Sequence, residues 1–210
     1  MIFEIKISNK NIDYLESLEF MEKRVDKIIN NNGRELIWFL NHDHIYTCGT
    51  SAKKNEILSQ PSIPLIKTNR GGKTTYHGPG QRVIYFLLNL NNYKKDIRKF
   101  VTIIESSIIN LLKEYKMEGK TYSDRIGIWI KSNNKEKKIG AVGLRIKKWV
   151  TYHGLSFNIS PNLKYYDNIL PCGLKNFSTT SMEDLKKRIT VKEFDKKFIE
   201  YFFYELKNFK

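Results

Sequence analysis

Cys172 follows an apolar run in the sequence. Pro171 and Gly173 flank it, and these residue types predict a tight turn. Such a turn can expose the thiol and leave nearby backbone N–H groups free to stabilise an oxyanion. Cys172 is therefore a candidate nucleophile, although a buried and inert thiol is the commoner state of a lone cysteine. We expect that inert state for Cys48.

A nucleophilic thiol needs a base or a cation that favours its thiolate form. The candidates in this chain are His77, His153 and Lys138. Lys138 opens a strand pattern interrupted by glycines, Lys-Ile-Gly-Ala-Val-Gly, where a partly desolvated lysine could act as a base. Spacing alone favours a solvated lysine that closes a hairpin. The residue types therefore do not decide which of the three candidates would activate the thiol.

Glycines and polar side chains are most concentrated in residues 70–81. The sequence there is Arg-Gly-Gly-Lys-Thr-Thr-Tyr-His-Gly-Pro-Gly-Gln. Their glycines and proline predict a loop rather than a helix or a central strand. The apolar run at 83–88 predicts a buried strand directly after it. The spacing fits neither a Walker loop nor GxGxxG. A ligand-free surface connection is the alternative, but Arg70, Tyr76, His77 and Gln81 favour a binding site.

Three motifs, taken together, resemble the octanoyltransferases of lipoate biosynthesis, the lipoate-protein ligase B family. Residues 70–81 match the family pattern RGGxxTYHGPGQ. Residues 138–145, with His153 and Gly154, match K-I-A-x-x-G-x-R followed by H-G, and residues 171–173 match P-C-G. The family's later T-S is present at 180–181. The departures are mild: Gly140, Arg82 and Thr179 stand where alanine, an apolar residue and valine are usual.

The resemblance implies a catalytic dyad of Cys172 and Lys138, with no metal and no cofactor. It implies octanoyl-acyl carrier protein as donor, and as acceptors the lipoyl domains of 2-oxoacid dehydrogenase E2 subunits and the glycine cleavage H protein. His153 ranks second as a functional residue. The residues expected to bind the acyl substrate are Arg70, Gly71, Gly72, Lys73, Thr74, Thr75, Tyr76, His77, Ala141, Val142, Gly143, Gly154, Leu155 and Ser156.

Two alternatives differ in chemistry. An ATP-dependent lipoate or biotin ligase would share the implied fold and would not need Cys172. A basic RNA- or protein-binding module would carry out no reaction at all.

Hydrophobic periodicity predicts three helices and a series of strands. Their spacing indicates an α+β fold with a mixed, largely antiparallel sheet flanked by helices, as in the lipoate and biotin protein ligases that the resemblance implies. His42 and His44 fall in a predicted polar loop rather than a metal site. The predicted helices are 12–29, 97–115 and 190–206, and the predicted strands are 2–7, 36–40, 64–67, 83–90, 126–130, 138–146 and 150–159.

The composition, with 40% hydrophobic residues, fits one globular domain over residues 1–210. Apolar runs fall short of the roughly 20 residues that span a bilayer. Residues 1–5 lack the pattern of a targeting signal. We therefore expect a cytoplasmic protein with reduced cysteines and no membrane partner, and we expect a monomer.

The net charge is +15, because 37 basic residues outnumber 22 acidic ones. A lysine-rich solvated surface would explain this charge, and so would attraction to acidic partner proteins. Nucleic acid is not an expected partner, since the lysines are scattered and RNA- or DNA-binding signatures are missing. The candidate contacts for acidic partners are Lys73, Arg82, Arg145, Lys147 and Lys148.

Overall fold

The computed structural model describes residues 3–132, 134–170, 177–207 and 209. The helices are α1 (Tyr14–Ile29), α2 (Ile97–Glu114) and α3 (Val191–Lys207). The strands are β1 (Glu4–Ile12), β2 (Leu36–His42), β3 (Ile45–Cys48), β4 (Leu65–Lys67), β5 (Thr74–His77), β6 (Gln81–Leu87), β7 (Gly119–Lys120), β8 (Ile128–Ser132), β9 (Lys135–Lys147), β10 (Val150–Asn158) and β11 (Ser178–Thr179).

Each helix begins at a side chain that caps its free backbone N–H groups. Asp13 accepts a hydrogen bond from the Glu16 N–H at the start of α1, and Asp96 does the same for Lys99 in α2. At α3 the Thr190 hydroxyl accepts from the Glu193 N–H at 3.1 Å. These local signals explain why the three helices were predictable within a few residues.

The main sheet of the described chain has the strand order β1-β2-β6-β10-β9-β8-β7, and β11 pairs with β9. The β1/β2 and β9/β11 pairs are parallel, and the other pairs are antiparallel. A smaller sheet has the order β4-β3-β5. The predicted mixed, largely antiparallel α+β fold is therefore confirmed.

Alternate residues of the main sheet pack on opposite faces, because successive strand side chains point to opposite sides. Trp38 and Tyr85 contact the apolar side of α1. Ile37 and Phe86 belong to the larger core, which includes α2 and α3. The sheet is thus covered by one helix on one face and two on the other. None of the helices in the described ranges combines the length and apolar character of a membrane span.

Two predicted loops are wrong in part. Thr74–His77, inside the glycine-rich stretch, forms β5 because its backbone pairs with Ile45–Cys48 across the small sheet. His42, predicted in a polar loop, is a buried residue at the end of β2. Its Nδ1 donates to the Ile12 carbonyl, and its Nε2 therefore accepts from the Tyr85 hydroxyl, each at 2.7 Å.

Two further expectations need correction. Arg82, expected on a basic surface, is 1% exposed and lies in β6, where its guanidinium binds Asp195 of α3. The strand predicted at 126–130 begins only at Ile128, because Gly127 has a φ of +126° that no regular strand residue adopts.

Candidate active site

A cavity of about 590 Å³ lies between the glycine-rich stretch and strands β9 and β10. Its size is typical of small-ligand sites. The motifs at 70–77, 138–144 and 153–156, which are far apart in sequence, meet around it. The predicted residues that line it are Arg70, Gly71, Gly72, Lys73, Thr74, Thr75, His77, Lys138, Ala141, Val142, Gly143, His153, Gly154, Leu155 and Ser156.

Tyr76 lies behind the cavity wall, although it was predicted to bind substrate. Its ring stacks on Tyr165 with centroids 4.9 Å apart, and its hydroxyl is 2.8 Å from His44 Nδ1. Because strand side chains alternate, Tyr76 packs into a small aromatic cluster with Tyr46, while His77 next to it reaches the cavity. We expect Tyr76 to support β5 rather than touch a ligand.

Lys138 reaches the cavity through a β-bulge. Trp129 of β8 pairs with Lys138, and the preceding Ile128 pairs with Gly140, so Ile139 is an extra residue in β9. In a regular strand, Lys138 and Ala141 would face opposite sides of the sheet, since they are three positions apart. With the bulge, both residues line the cavity.

The Lys138 amine is held in a buried position, with the residue 8% exposed. Its Nζ donates a hydrogen bond to the Ile126 carbonyl at 2.9 Å and lies 5.5 Å from the Trp129 ring centroid. On the other edge of β9, Thr179 pairs with Lys138, and the Thr180 N–H donates to the Lys138 carbonyl at 2.9 Å. The backbone of Lys138 is therefore paired on both edges of β9.

Cys172 lies outside the described residues, in the segment 171–176. The residues on either side of that segment contact neighbours of the residues that line the cavity. The Leu170 N–H donates to the Glu56 carbonyl at 2.8 Å, and the Phe177 ring packs on Trp129 with centroids 5.1 Å apart. The Glu56 carboxylate in turn accepts from the Thr74 N–H at 2.9 Å.

Cys48, expected to be an inert thiol, is a half-buried residue at the end of β3. Its sulfur is 3.7 Å from the Thr74 hydroxyl.

Arg70 shapes the glycine-rich stretch from inside. Its buried guanidinium donates to the carbonyls of Thr47, Lys73 and Gly71 at 2.6, 2.7 and 2.9 Å. Its Nε donates to the Thr47 hydroxyl at 3.0 Å. Burial lowers the pKa of Arg70 from its ordinary value. Arg70 therefore acts as a template that joins the stretch to β3, and it also lines the cavity.

Glycine is required where the stretch meets β9. The Gly71 N–H donates to the Leu144 carbonyl at 3.1 Å. A Cβ on Gly71 would lie 2.7 Å from that carbonyl oxygen, and a Cβ on Gly143 would lie 2.9 Å from the Gly71 oxygen. Because neither glycine has a side chain, the backbones of the loop and the strand approach closely at this wall of the cavity.

The two cavity histidines have fixed tautomers, which follow from their hydrogen-bond partners. His77 Nδ1 donates to the Gln81 side-chain oxygen at 2.7 Å, since the Gln81 amide group donates elsewhere. His153 Nε2 donates to the Asn69 oxygen at 2.8 Å, because the Asn69 amide donates to Glu22. His153 Nδ1 is thus a buried acceptor without a hydrogen-bond partner among the described residues.

Burial also keeps these imidazoles neutral. It lowers the pKa of His153 to about 3, with further contributions from the Arg70, His42 and Arg145 charges. It lowers the pKa of His77 well below its ordinary value. Neutral imidazoles can orient a ligand by hydrogen bonding, but they supply no positive charge for a thiolate.

Several cavity residues carried no recognisable signal in the sequence. Tyr14 opens α1, and Tyr85 lies within an apolar strand, where an aromatic residue predicts core packing. These two residues line the cavity only because α1 and β6, which are far apart in the sequence, pack next to it. The lining residues that were not predicted include Tyr14, Val83, Tyr85, Ile97, Val101, Ile126, Leu144, Asn158 and Tyr166. Within the described ranges, no group of three or more His, Cys, Asp or Glu residues could hold a metal ion.

A model of the lipoyl protein ligase A/B catalytic domain matches residues 13–203. The chain belongs to this family. That match spans every motif on which the resemblance to the octanoyltransferases depended, and curated relatives confirm the resemblance.

Curated relatives in the lipoyl protein ligase A/B family are octanoyltransferases from several bacteria. The chain is 47% identical over 190 residues to the octanoyltransferase of Wolbachia pipientis subsp. Culex pipiens (strain wPip), which covers 90% of this chain and 92% of that relative. It is 43% identical over 206 residues to the octanoyltransferase of Ehrlichia canis (strain Jake), with 96% of each chain covered.

Solved structures of lipoate and biotin protein ligases share the fold at low sequence identity. Lipoate-protein ligase A bound with ATP has a TM-score of 0.72 at 14% identity, covering 99% of this chain and 86% of that one. The lipoate protein ligase of Thermoplasma acidophilum has a TM-score of 0.71 at 15% identity, covering 98% and 85%. The biotin protein ligase of Aquifex aeolicus has a TM-score of 0.56 at 13% identity, covering 99% and 71%. The implied fold is therefore confirmed.

Proposed function

We propose that this chain transfers an octanoyl group from the thioester of acyl carrier protein to a lysine amine of a lipoyl domain. The observation that carries the proposal is the placement of Lys138. A bulge turns this buried amine onto the wall of a cavity whose other walls come from the 70–77 and 153–156 motifs. The octanoyltransferase names of the curated relatives give independent support.

The first half of the proposed reaction forms an acyl-enzyme. Lys138, as a neutral amine, takes the proton of the Cys172 thiol, and the sulfur attacks the thioester carbonyl. A new C–S bond to Cys172 forms as the bond to the carrier sulfur breaks. The carrier thiolate then takes up the proton from Lys138. The role of Cys172 depends on the Pro-Cys-Gly motif and the family resemblance.

The second half releases the product. The ε-amine of the acceptor lysine attacks the Cys172 thioester, and Lys138 takes its proton as the amide bond forms. The Cys172 sulfur is the leaving group, and it regains the proton to restore the thiol. The acyl group enters already activated as a thioester, so we propose no requirement for ATP or another cofactor.

We propose that the alkyl chain lies against the wall made by the glycine-rich stretch, residues 141–143 and residues 154–156. A Cβ at Gly71, Gly143 or Gly154 would clash with neighbouring protein atoms, so these glycines let the segments that form the wall pack closely together. His77 and His153, both neutral, would orient the substrate rather than take its proton. We further propose that residues 1–210 form one catalytic domain that works as a cytoplasmic monomer.

The decisive experiment is an intact mass measurement after mixing the protein with octanoyl-acyl carrier protein. We expect a one-octanoyl adduct on the wild type and on Cys48→Ala, and none on Cys172→Ala. Loss of this adduct to an added lipoyl domain, with a matching gain there, completes the test. An adduct that persists in Cys172→Ala contradicts the proposal. ATP-dependent transfer of free lipoate would instead indicate a ligase.

A further inference from the structure

Glu105 is a buried carboxylate on α2 that the sequence motifs do not include. It is 9% exposed and lies on the buried side of the helix, which is mostly apolar and includes Ile104 and Ile108. Burying a carboxylate is costly unless it is hydrogen-bonded. Its Oε1 accepts from the Gly127 N–H at 3.1 Å, which connects helix α2 to the residue just before β8.

The peptide unit between Ile126 and Gly127 links Glu105 to Lys138. The N–H of this unit belongs to Gly127 and bonds Glu105, while its carbonyl belongs to Ile126 and accepts from Lys138 Nζ at 2.9 Å. In a trans peptide these two groups point in opposite directions. Fixing the N–H from one side therefore fixes the direction of the carbonyl that holds the lysine. Hydrogen bonds arranged in such a chain also strengthen each other.

The lysine side chain occupies the space next to this peptide. A Cβ on Gly127 would lie 2.5 Å from Lys138 Cε and 2.9 Å from its Nζ. Gly127 also has a φ of +126°, which L side chains rarely adopt. Glycine is thus required at position 127 for two reasons: a side chain would clash with Lys138, and the backbone angle suits only glycine. The aliphatic part of Lys138 therefore packs directly against Gly127.

The charges are consistent with this arrangement. Burial raises the pKa of Glu105, whereas the Gly127 hydrogen bond and the Lys138 charge oppose that rise. Lys138 therefore acts electrostatically on Glu105, although Glu105 takes no direct part in the proposed reaction.

We infer that Glu105 is a positioning residue, which holds the Lys138 amine in place through the peptide unit of Ile126 and Gly127. This inference rests on the proposed function, because it assigns Glu105 to the lysine that acts there as the base. The hydrogen bond, rather than the charge, is what the proposal requires of Glu105.

Three variants test the inference by the single-turnover rate of octanoyl-adduct formation at saturating octanoyl-carrier protein. Glu105→Gln keeps an oxygen acceptor for the Gly127 N–H, and we expect its rate within about threefold of wild type. Glu105→Leu has a similar size without an acceptor, and we expect a loss of roughly 10- to 100-fold with KM unchanged, as for a displaced catalytic group. Glu105→Asp, with a shorter reach, should lie between them and serves if the leucine variant does not fold.

The matched control is Glu114→Leu, which removes another carboxylate of α2. That carboxylate bonds Lys197 and Tyr201 of α3, and Glu114 does not belong to the cavity lining. We expect its rate per folded molecule to equal that of wild type. Urea unfolding of every variant supplies the folded fraction, so that a loss of stability is not counted as a loss of rate.

Lys138→Met separates the inference from the proposed function. If Lys138→Met keeps wild-type rates, the assignment of Lys138 as the base of the proposed reaction fails, whatever Glu105 does. If Lys138→Met is inactive and Glu105→Leu is at wild-type rate, only the inference is overturned. An equal loss in Glu105→Gln and Glu105→Leu also overturns it, since charge would then be the requirement. Adding Glu105→Leu to Lys138→Met should cause no further loss.

Discussion

Arg82 and Asp195 form a bidentate ion pair inside the protein. Arg82 Nε and Nη2 donate to the two carboxylate oxygens of Asp195 at 2.8 and 2.5 Å, and both side chains are almost fully buried. Arg82 Nη1 also donates to the Asn41 side-chain oxygen at 2.8 Å. The pair joins β6, which follows the glycine-rich stretch, to the last helix.

Breaking this pair should destabilise the fold strongly. Asp195→Ala leaves a buried guanidinium without its anion, and we expect a loss of about 3–5 kcal/mol in the free energy of unfolding. Replacing both residues by Leu and Met should cost much less, because no buried charge remains. Urea unfolding of the single and double variants measures this. A single variant within about 1 kcal/mol of wild type would show that solvent reaches Arg82.

Arg70→Lys should disrupt the glycine-rich stretch although charge is kept. A lysine cannot span the Thr47 and Lys73 carbonyls as the planar guanidinium does. We expect KM for octanoyl-carrier protein to rise at least about tenfold, the equivalent of about 1.4 kcal/mol, since the cavity wall loses its template. Steady-state kinetics measure the change. Lys67→Arg, on the exposed side of β4, is the control and should leave KM unchanged.

Lys138 should be required as a proton acceptor and not only as a cation. Lys138→Met should lose most thioester attack at neutral pH, by about 10²- to 10⁴-fold. Lys138→Arg should fail as well, because arginine keeps its charge but does not give up its proton. Single-turnover adduct formation measures both rates. Activity near wild type in the arginine variant would indicate that charge alone suffices.

Acid should destabilise the protein through its buried histidines. The pKa of His42 is lowered to about 4 and that of His153 to about 3, both mainly by burial. Below a pH of roughly 6.5 the unfolded chain binds these protons and the folded chain does not, so stability falls as pH falls. Each group contributes about 1.4 kcal/mol per pH unit between roughly pH 6 and pH 4.

The measurement of stability against pH must allow for buried carboxylates and needs a variant that does not titrate. The raised pKa values of Glu35, Glu105 and Asp195 act in the opposite sense and offset part of the fall. His153 has a positive φ of 57°, which asparagine tolerates, so His153→Asn is a suitable non-titrating variant. Urea unfolding at several pH values should show that the free energy of unfolding of His153→Asn changes less with pH than that of wild type, by the equivalent of about one proton. A slope equal to wild type would mean that His153 is protonated in the folded state.

The basic surface should speed encounter with an acidic carrier protein. Arg82 is buried and takes no part, which leaves Lys73, Arg145, Lys147 and Lys148 as candidates. Lys147 already pairs with Asp26 at 2.6 Å, so Lys148, exposed at the β9–β10 turn, is the better site for charge reversal. We expect kcat/KM for octanoyl-carrier protein to fall as salt rises, and to fall with Lys148→Glu at low salt.

The control substrate for the steering prediction is a small octanoyl thioester without the carrier, whose kcat/KM should barely respond to salt. The control variant is Lys196→Glu on α3, which packs against the opposite face of the sheet from α1. An equal response of both substrates, or of both variants, would show that the basic surface does not attract the carrier protein. The net charge would then be explained by a solvated, lysine-rich surface.

The sequence by itself determined the helices, most strands and the motif residues. Periodic apolar positions and the caps at Asp13, Asp96 and Thr190 act over a few residues, so they are visible in a local pattern. Glycines and polar residues at 70–81 marked one wall of the site because their composition is unusual for a simple turn. The resemblance then indicated the reaction, and the family match together with the curated relatives confirmed that resemblance.

The tertiary structure alone decided where the side chains point and which polar groups are buried. The extra residue Ile139 turns Lys138 to the cavity, and one residue of register reverses the facing of a strand side chain. Asp195 makes Arg82 an interior residue, and Glu105 meets Gly127 across 22 residues of chain. These contacts depend on the pairing of distant segments, whose free energy is not contained in any local pattern of residue types.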